Sequence, residues 1–258
     1  MSTTVELSRG DAGIATLTFT SPKGVNVIST PFLDHLEAQL AAIEQDPGVR
    51  VVIVTGAGKT FLAGADIAEM AAAPPDAGRA FAERGKRAFD RLAALPAVTI
   101  AAINGAALGG GCEAALACDL RIMSSTAKIG MPEVKLGLIP GWGGTQRSLS
   151  LLGAARAKRL VFTGDAIDAA LAREIGLVNE SVEPDQLLPT ARKLATQIVT
   201  GNGPNAVRAA KCAMAAAEAA WLRTGQAAET EAFARVFAGA EGREGCTAFL
   251  EKRKAQWA

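Results

Sequence analysis

The sequence predicts an α/β protein in which a layered core of strands and helices is followed by a helical C-terminal region. Two observations carry this prediction. In the first half, short apolar segments typical of buried strands alternate with amphipathic segments, and repeated β-then-α units form layered α/β folds. In the second half, after about residue 145, strand signals nearly vanish while helical spacing continues towards the end.

The elements of the first half follow from apolar spacing. Predicted strands cover 14–19, 49–56, 97–105 and 119–125, and predicted helices cover 30–46, 80–95 and 112–118. Thr30 is expected to cap the first helix, because threonine is a favoured N-cap residue. Pro31 supports this position, since proline is well tolerated in a first helical turn.

Helical spacing alone defines the second half. The predicted helices cover 144–152, 154–162, 168–175, 185–200, 204–220, 225–238 and 242–255. The segment "TGNGP" (200–204) marks the best candidate boundary, since glycine interrupts the pattern and Pro204 starts a new helix. We therefore expect a core formed by residues 1–200 and a C-terminal helical region formed by residues 201–258.

Composition disfavours several classes of function. Lys and Arg number 27 against 26 Asp and Glu, so there is no basic field to hold a nucleic acid. No segment approaches the ~18 apolar residues of a membrane span, and the first residues contain no apolar leader. The four cysteines form no C-x-x-C pair, which predicts free thiols in a reducing cytoplasm and no zinc site.

The chain contains one histidine, and its position restricts the chemistry. His35 lies beside the apolar stripe of the first predicted helix, so we expect it on the surface. Nothing around it suggests a Ser-His-Asp triad or a histidine metal site. Carboxylates remain as the candidate acid and base of an enzyme.

Two glycine motifs resemble nucleotide-binding loops but fail. In "TGAGKT" (55–60) the first glycine of a phosphate-binding loop would fall on Ile53, and in "GAALGGG" (105–111) Ala107 replaces the second glycine of a dinucleotide motif. "FLAGAD" (61–66) and "ALGGGCE" (107–113) remain, each next to a carboxylate. Close helix–strand packing explains either one alone. Together they favour an anion or oxyanion site, because glycine exposes backbone N–H groups at a helix N-terminus.

Four ordered blocks, "FLAGADIAEM" (61–70), "AAINGAALGGGCEAALACDLRI" (101–122), "IGMPEVKLGLIPGWGGTQR" (129–147) and "EGCTAFLEKRKAQW" (244–257), resemble the enoyl-CoA hydratase (crotonase) family. The resemblance spans almost the whole chain. It implies a spiral of ββα units followed by a helical region that forms trimers, usually paired into hexamers. A homotrimer or homohexamer acting on an acyl-CoA thioester is therefore expected.

The resemblance also implies an activity and a site. A hydro-lyase of this family adds water reversibly, with syn geometry, to a trans-2-enoyl-CoA and gives a 3-hydroxyacyl-CoA. The oxyanion hole is expected at the backbone N–H groups of Ala65 and Gly110. Glu113 is expected to activate the water and Glu133 to protonate the α-carbon. No metal or other cofactor is expected, since coenzyme A is part of the substrate.

Viewed singly, the two acids also have structural explanations. Glu113 could complement a helix dipole, and Glu133 could be a loop acid beside Pro132. Other reactions on this scaffold stay open as well: an enoyl-CoA isomerase, an acyl-CoA hydrolase or decarboxylase, or a hydratase of a cyclic or branched enoyl-CoA. A non-catalytic RNA-binding relative is a further alternative, which the near-zero net charge disfavours.

The contacts with coenzyme A are also carried over from the family. Ala63, Ala65, Asp66 and Ile67 match a segment that lies along the coenzyme. Phe249 and Lys252 match a C-terminal helix that reaches it, although Lys252 on a solvated helix face is an equal alternative. Trp142 stands where smaller residues are frequent in the family, and either walls the acyl pocket or serves packing.

Overall fold

The computed structural model describes residues 2–257. Met1, at the start of the predicted core, and Ala258, at the end of the predicted C-terminal region, lie outside the described residues. The described chain forms two sheets surrounded by helices. Its strands are β1 (Thr4–Arg9), β2 (Ile14–Thr20), β3 (Val51–Gly56), β4 (Thr60–Leu62), β5 (Val98–Ile103), β6 (Ala106–Leu108), β7 (Leu120–Ser124), β8 (Lys128–Gly130), β9 (Ile167–Asp168) and β10 (Glu180–Val182).

Helices cover most of the rest. They are α1 (Thr30–Glu44), α2 (Ile67–Ala72), α3 (Gly78–Ala93), α4 (Gly110–Leu116), α5 (Gly144–Leu152), α6 (Ala154–Thr163), α7 (Ala169–Glu174), α8 (Leu187–Gly201), α9 (Pro204–Ala238) and α10 (Ala240–Leu250). A 3-10 turn covers Pro132–Leu136, and three shorter ones cover Asp11–Gly13, Pro75–Ala77 and Pro184–Gln186.

The sheets are built from repeated ββα units. The larger sheet has the order β1-β2-β3-β5-β7-β10 and the smaller one β4-β6-β8-β9. β3, β5 and β7 lie side by side and parallel in the larger sheet, and the strand that follows each of them lies in the smaller sheet. The α/β class is confirmed, and the units are those that the resemblance implied.

The two faces of the larger sheet explain its apolar strands. In β3, Val51 and Ile53 pack with residues of α8, whereas Val52 and Val54 face the main core together with α1. Successive strand residues point to opposite faces, so a strand covered on both faces needs a continuous apolar run. The segment "VVIV" meets that requirement.

The start of α1 differs by one residue from the prediction. Ser29, rather than Thr30, is the N-cap, and its hydroxyl accepts a hydrogen bond from the Phe32 amide (3.4 Å). Pro31 lies in the first turn, where a missing N–H costs nothing. His35 is exposed, as predicted.

Two predictions about the C-terminal helices are wrong. Helices predicted over 204–220 and 225–238 form one helix, α9, which continues through Gly225. A Cβ at Gly225 would lie 1.8 Å from Oε1 of Gln146, so the glycine allows α5 to pack closely. The last helix ends at Leu250 rather than at 255, because Lys252 adopts a positive φ (+56°) and closes the end with backbone bonds.

Three observations bear on the classes of function that the composition disfavours. Among the described residues, no helix is long and apolar enough to cross a membrane. The same part of the chain contains no group of three or more His, Cys, Asp or Glu placed to hold a metal ion. All four cysteines are free thiols, and only Cys212 is exposed.

Candidate active site

The candidate site lies where three parallel strands of the smaller sheet end. β4, β6 and β8 are neighbours, with Leu62 paired to Ala107 and Leu108 paired to Gly130. The segments that follow these strands contain Ala65, Gly110 and Glu133 respectively. The sheet thus brings both glycine-rich segments and one predicted acid to a common edge.

The segment after β4 is held by the chain around Asn26. The Ala63 amide donates to the carbonyl of Asn26 (2.7 Å), and the Asp66 amide donates to that of Ile28 (2.9 Å). Ala65 lies between these bonds, and its own N–H is not used in this pairing. The Asp66 carboxylate caps α2 by accepting from two amides of its first turn.

The segment after β6 depends on glycine. Gly109 has φ +54° and ψ −123°, a conformation that L residues avoid, and a Cβ there would lie 3.0 Å from Oε1 of Glu133. Gly110 begins α4, so its N–H has no partner within the helix. This geometry places an open amide and the Glu133 carboxylate at the same end of α4.

Glu113 lies one turn into α4 and is 2% exposed. Its Oε1 accepts hydrogen bonds from the amides of Trp142 and Gly144, both at 2.8 Å. Burial raises the pKa of Glu113 well above its usual range, and the charges of Glu133 and Glu229 raise it further. The two amide donors oppose this shift because they stabilise the carboxylate form.

Glu133 has a different environment. It lies in the 3-10 turn after β8, and its Oε2 is inaccessible to solvent and has no hydrogen-bond partner among residues 2–257. Burial raises the pKa of Glu133 to about 8, with a further contribution from the charge of Glu229. A carboxyl in this environment carries its proton near neutral pH.

A further acid of the site, Glu229 on α9, is not among the residues predicted from the sequence. It is 4% exposed and accepts from the amides of Gly143 (2.6 Å) and Thr145 (2.9 Å) and from the Thr145 hydroxyl. Burial raises its pKa. A sequence signal existed, because Glu229 stands at helical spacing within a buried stripe: Leu222, Gln226, Phe233 and Phe237.

Trp142 is buried (2% exposed) between two helices rather than open to solvent. Its ring contacts the rings of Phe81 and Phe89, and its Nε1 donates to the carbonyl of Phe81 (3.2 Å). A Cβ at Gly110 would lie 2.3 Å from Cζ3 of the ring. Trp142 therefore has a packing role and also borders the Gly110 backbone. Its role as a wall of the acyl pocket stays a prediction.

The predicted coenzyme contacts lie on two elements that touch. Ile67 begins α2, which packs against α10, the helix that carries Phe249. Phe249 is 57% exposed. Lys252 lies beyond the end of α10, not on the helix as predicted. Their contacts with coenzyme A stay predictions.

Comparison with known proteins decides the family. A family model described as enoyl-CoA hydratase/isomerase matches residues 9–258. The chain belongs to this family. A short-chain-enoyl-CoA hydratase of Clostridium acetobutylicum is 45% identical to it over 244 residues, covering 94% of this chain and 93% of the relative. A crotonyl-CoA hydratase of Syntrophomonas wolfei is 43% identical over 245 residues, covering 95% and 94%.

Solved structures of the enoyl-CoA hydratase family have the same fold. A crystal structure of an enoyl-CoA hydratase from Bacillus anthracis matches with a TM-score of 0.80 and 38% identity, covering 98% of each chain. One from Mycobacterium avium subsp. paratuberculosis matches with a TM-score of 0.88 and 25% identity over the full length of both. The predicted crotonase-type fold is thereby confirmed.

Proposed function

We propose that this protein is an enoyl-CoA hydratase that adds water reversibly, with syn geometry, to a trans-2-enoyl-CoA. One observation carries the proposal beyond family membership. The Glu133 carboxylate lies against Gly109, next to the helix end that carries the Gly110 amide, and Glu113 lies on the first turn of that helix. Two carboxylates and the first amide of α4 thus lie at one end of this helix.

The thioester carbonyl is activated by two backbone donors in this mechanism. The N–H groups of Ala65 and Gly110 bind the carbonyl oxygen, on which negative charge develops as the β-carbon is attacked. A preorganised donor of this kind typically contributes ~10²–10³ in rate. Because these donors polarise the thioester, the reaction needs no metal ion or other cofactor.

The acids divide two proton transfers. Glu113 is the base: two amides hold its Oε1, which leaves Oε2 to take a proton from water while the water oxygen bonds to the β-carbon. Glu133 is the acid, because its Oε2 has no hydrogen-bond donor and its raised pKa favours the protonated form. Its proton goes to the α-carbon, and both new bonds form on one face.

The finer features extend the same proposal. The substrate is a short acyl chain, since Trp142 fills the space beside Gly110 and two relatives are named for short-chain or crotonyl substrates. Ala63, Asp66, Ile67, Phe249 and Lys252 contact the coenzyme moiety. The chain assembles as a homotrimer or homohexamer in the cytoplasm and acts in the β-oxidation of fatty acids.

A hydration assay tests the proposal. The loss of enoyl-thioester absorbance is followed with enoyl-CoAs of four to sixteen carbons, with and without prior treatment with a chelator. We expect turnover that is fastest at four carbons and unaffected by chelation. Turnover of 3-enoyl-CoA without any hydration would instead identify an isomerase, the other activity in the family description.

A further inference from the structure

The turn Trp142–Thr145 lies between two buried carboxylates and is bound by both. Its four consecutive amides alternate: those of Trp142 and Gly144 donate to Glu113, and those of Gly143 and Thr145 donate to Glu229. Gly143 has φ +98°, which turns its N–H away from those of its neighbours. Glu113 is on α4 and Glu229 on α9, so the turn joins two distant parts of the chain.

We infer that Glu229 is a positioning residue for Glu113 and acts through this turn. The inference rests on the proposed function, in which Glu113 is the base. If the amides of Gly143 and Thr145 lose their hydrogen bonds to Glu229, the turn is no longer held in place. The amides of Trp142 and Gly144, which belong to the same turn, then no longer keep their positions against Glu113. Glu113 then loses the donors that hold Oε1 and direct Oε2.

The surroundings of Glu229 define what else could act on the turn. Arg147 of α5 donates to the carbonyl of Trp142 (2.9 Å) and pairs with Asp90 of α3. Gln226, one turn before Glu229, also donates to Asp90 (3.0 Å). Arg147 therefore binds the carbonyl side of the turn. On the amide side, Glu229 is the carboxylate that opposes Glu113.

A positioning role and a purely electrostatic role shift the pH profile in opposite directions. The charged groups that face Glu229 are Arg147, Glu113 and Glu133. Considered separately from the hydrogen bonds, the negative charge of Glu229 raises the pKa of Glu113. Loss of that charge therefore lowers the pKa of Glu113 and moves the acidic limb of the kcat/KM profile to lower pH. Loss of the amide donors from Glu113 raises its pKa and moves the limb to higher pH.

The deciding variant is Glu229→Gln, which removes the charge and leaves one acceptor oxygen where two are used. We expect kcat for crotonyl-CoA to fall by ~10–100-fold, the range that a small misplacement of a catalytic group costs, with KM little changed. The acidic limb should move to higher pH. Glu231→Gln is the matched control, since Glu231 is an exposed residue of the same helix that pairs with Arg79.

Two further measurements keep the inference testable. Thr145→Val removes one donor to Glu229 without touching α9, and should lower kcat by a smaller factor in the same direction. Hydrogen–deuterium exchange of the peptide 138–147 should be faster in Glu229→Gln, whether or not the protein hydrates enoyl-CoA.

The outcomes separate the two claims. If wild-type protein hydrates crotonyl-CoA, but Glu229→Gln and Thr145→Val match it in kcat and in exchange, the positioning role is wrong and the proposed function stands. An acidic limb moved to lower pH with unchanged exchange also overturns it, in favour of a charge effect. If wild-type protein hydrates no enoyl-CoA, the proposed function fails, and exchange still shows whether Glu229 holds the turn.

Discussion

The ring of Trp142 occupies the space that a side chain at Gly110 would need. A Cβ built on Gly110 would lie 2.3 Å from Cζ3 of that ring, well inside contact distance. Trp142 is buried against α3, where its Nε1 is hydrogen-bonded, so the ring cannot simply swing away. The position of the proposed oxyanion amide and the size of residue 142 are therefore coupled.

This coupling predicts the result of a double-mutant cycle. Gly110→Ala should push the helix end away from Trp142 and lower kcat by ~10²–10³, the effect of losing one oxyanion donor. Trp142→Leu in the same chain makes room for the new methyl group and should restore part of the loss. Hydration kinetics of the wild type, the two single variants and the double variant give the interaction free energy between the two substitutions. If the two effects simply add, the ring and the amide are not coupled.

Trp142 also predicts the chain-length preference. Trp142→Leu should raise kcat/KM for eight-carbon relative to four-carbon enoyl-CoA by ~10-fold or more, since a single methylene in a hydrophobic pocket is already worth ~10–200-fold. Trp221→Leu, which replaces an exposed tryptophan on α9, is the control. An unchanged ratio would assign Trp142 to packing alone.

The two acids predict large losses without unfolding. Glu113→Gln and Glu133→Gln should each lower kcat by ~10²–10⁴, the usual contribution of acid–base catalysis. Both should keep the fold: in Glu113→Gln the side-chain amide oxygen can still accept from Trp142 and Gly144, and Oε2 of Glu133 has no bond to lose. Thermal unfolding and coenzyme A binding check this. Near-normal crotonyl-CoA hydration by either variant would contradict the two-glutamate mechanism.

The raised pKa of Glu133 predicts an alkaline limit. Below its pKa of about 8 the group is protonated and can donate to the α-carbon; above it the proton is lost. We expect kcat/KM to fall tenfold per pH unit above about pH 8. The two acids interact, so the observed value belongs to the pair. A profile that stays flat to about pH 9.5 in protein shown to remain folded would exclude Glu133 as the acid.

Much of the fold could be predicted because its signals are local. α5 covers the predicted 144–152, and α6 extends one residue past the predicted 154–162, since Gly153 interrupts the helical pattern between them. The helical spacing of Glu229 with Gln226 and Phe233 indicates burial, which the neighbouring Glu231 does not share. Its contacts could not be predicted in this way, because only the packing of α9 over the turn Trp142–Thr145 brings Glu229 to the amides of that turn.

The C-terminal region is joined to the core by an ion pair whose cation is buried, which predicts a difference in stability. Lys211 of α9 is 8% exposed, and its Nζ donates to Oδ2 of Asp119 (2.7 Å) and to the carbonyl of Ala97 (2.6 Å). Oδ2 of Asp119 also accepts from the amide and hydroxyl of Thr99. The pair thus ties α9 to the ends of β5 and β7.

Removing Asp119, the anion, should lower the free energy of unfolding more than removing Lys211, the cation. Asp119→Ala leaves the buried ammonium group of Lys211 without its charged partner, and an uncompensated buried charge costs on the order of 3 kcal/mol. Lys211→Met fills the same space with an apolar side chain, and the remaining Asp119 is still held by Thr99 and partly solvated. Urea unfolding should therefore show the larger loss for Asp119→Ala. Equal losses of unfolding free energy, or a larger loss for Lys211→Met, would contradict this prediction. The unpaired charge of Lys211 would then not be the main cost of breaking the pair.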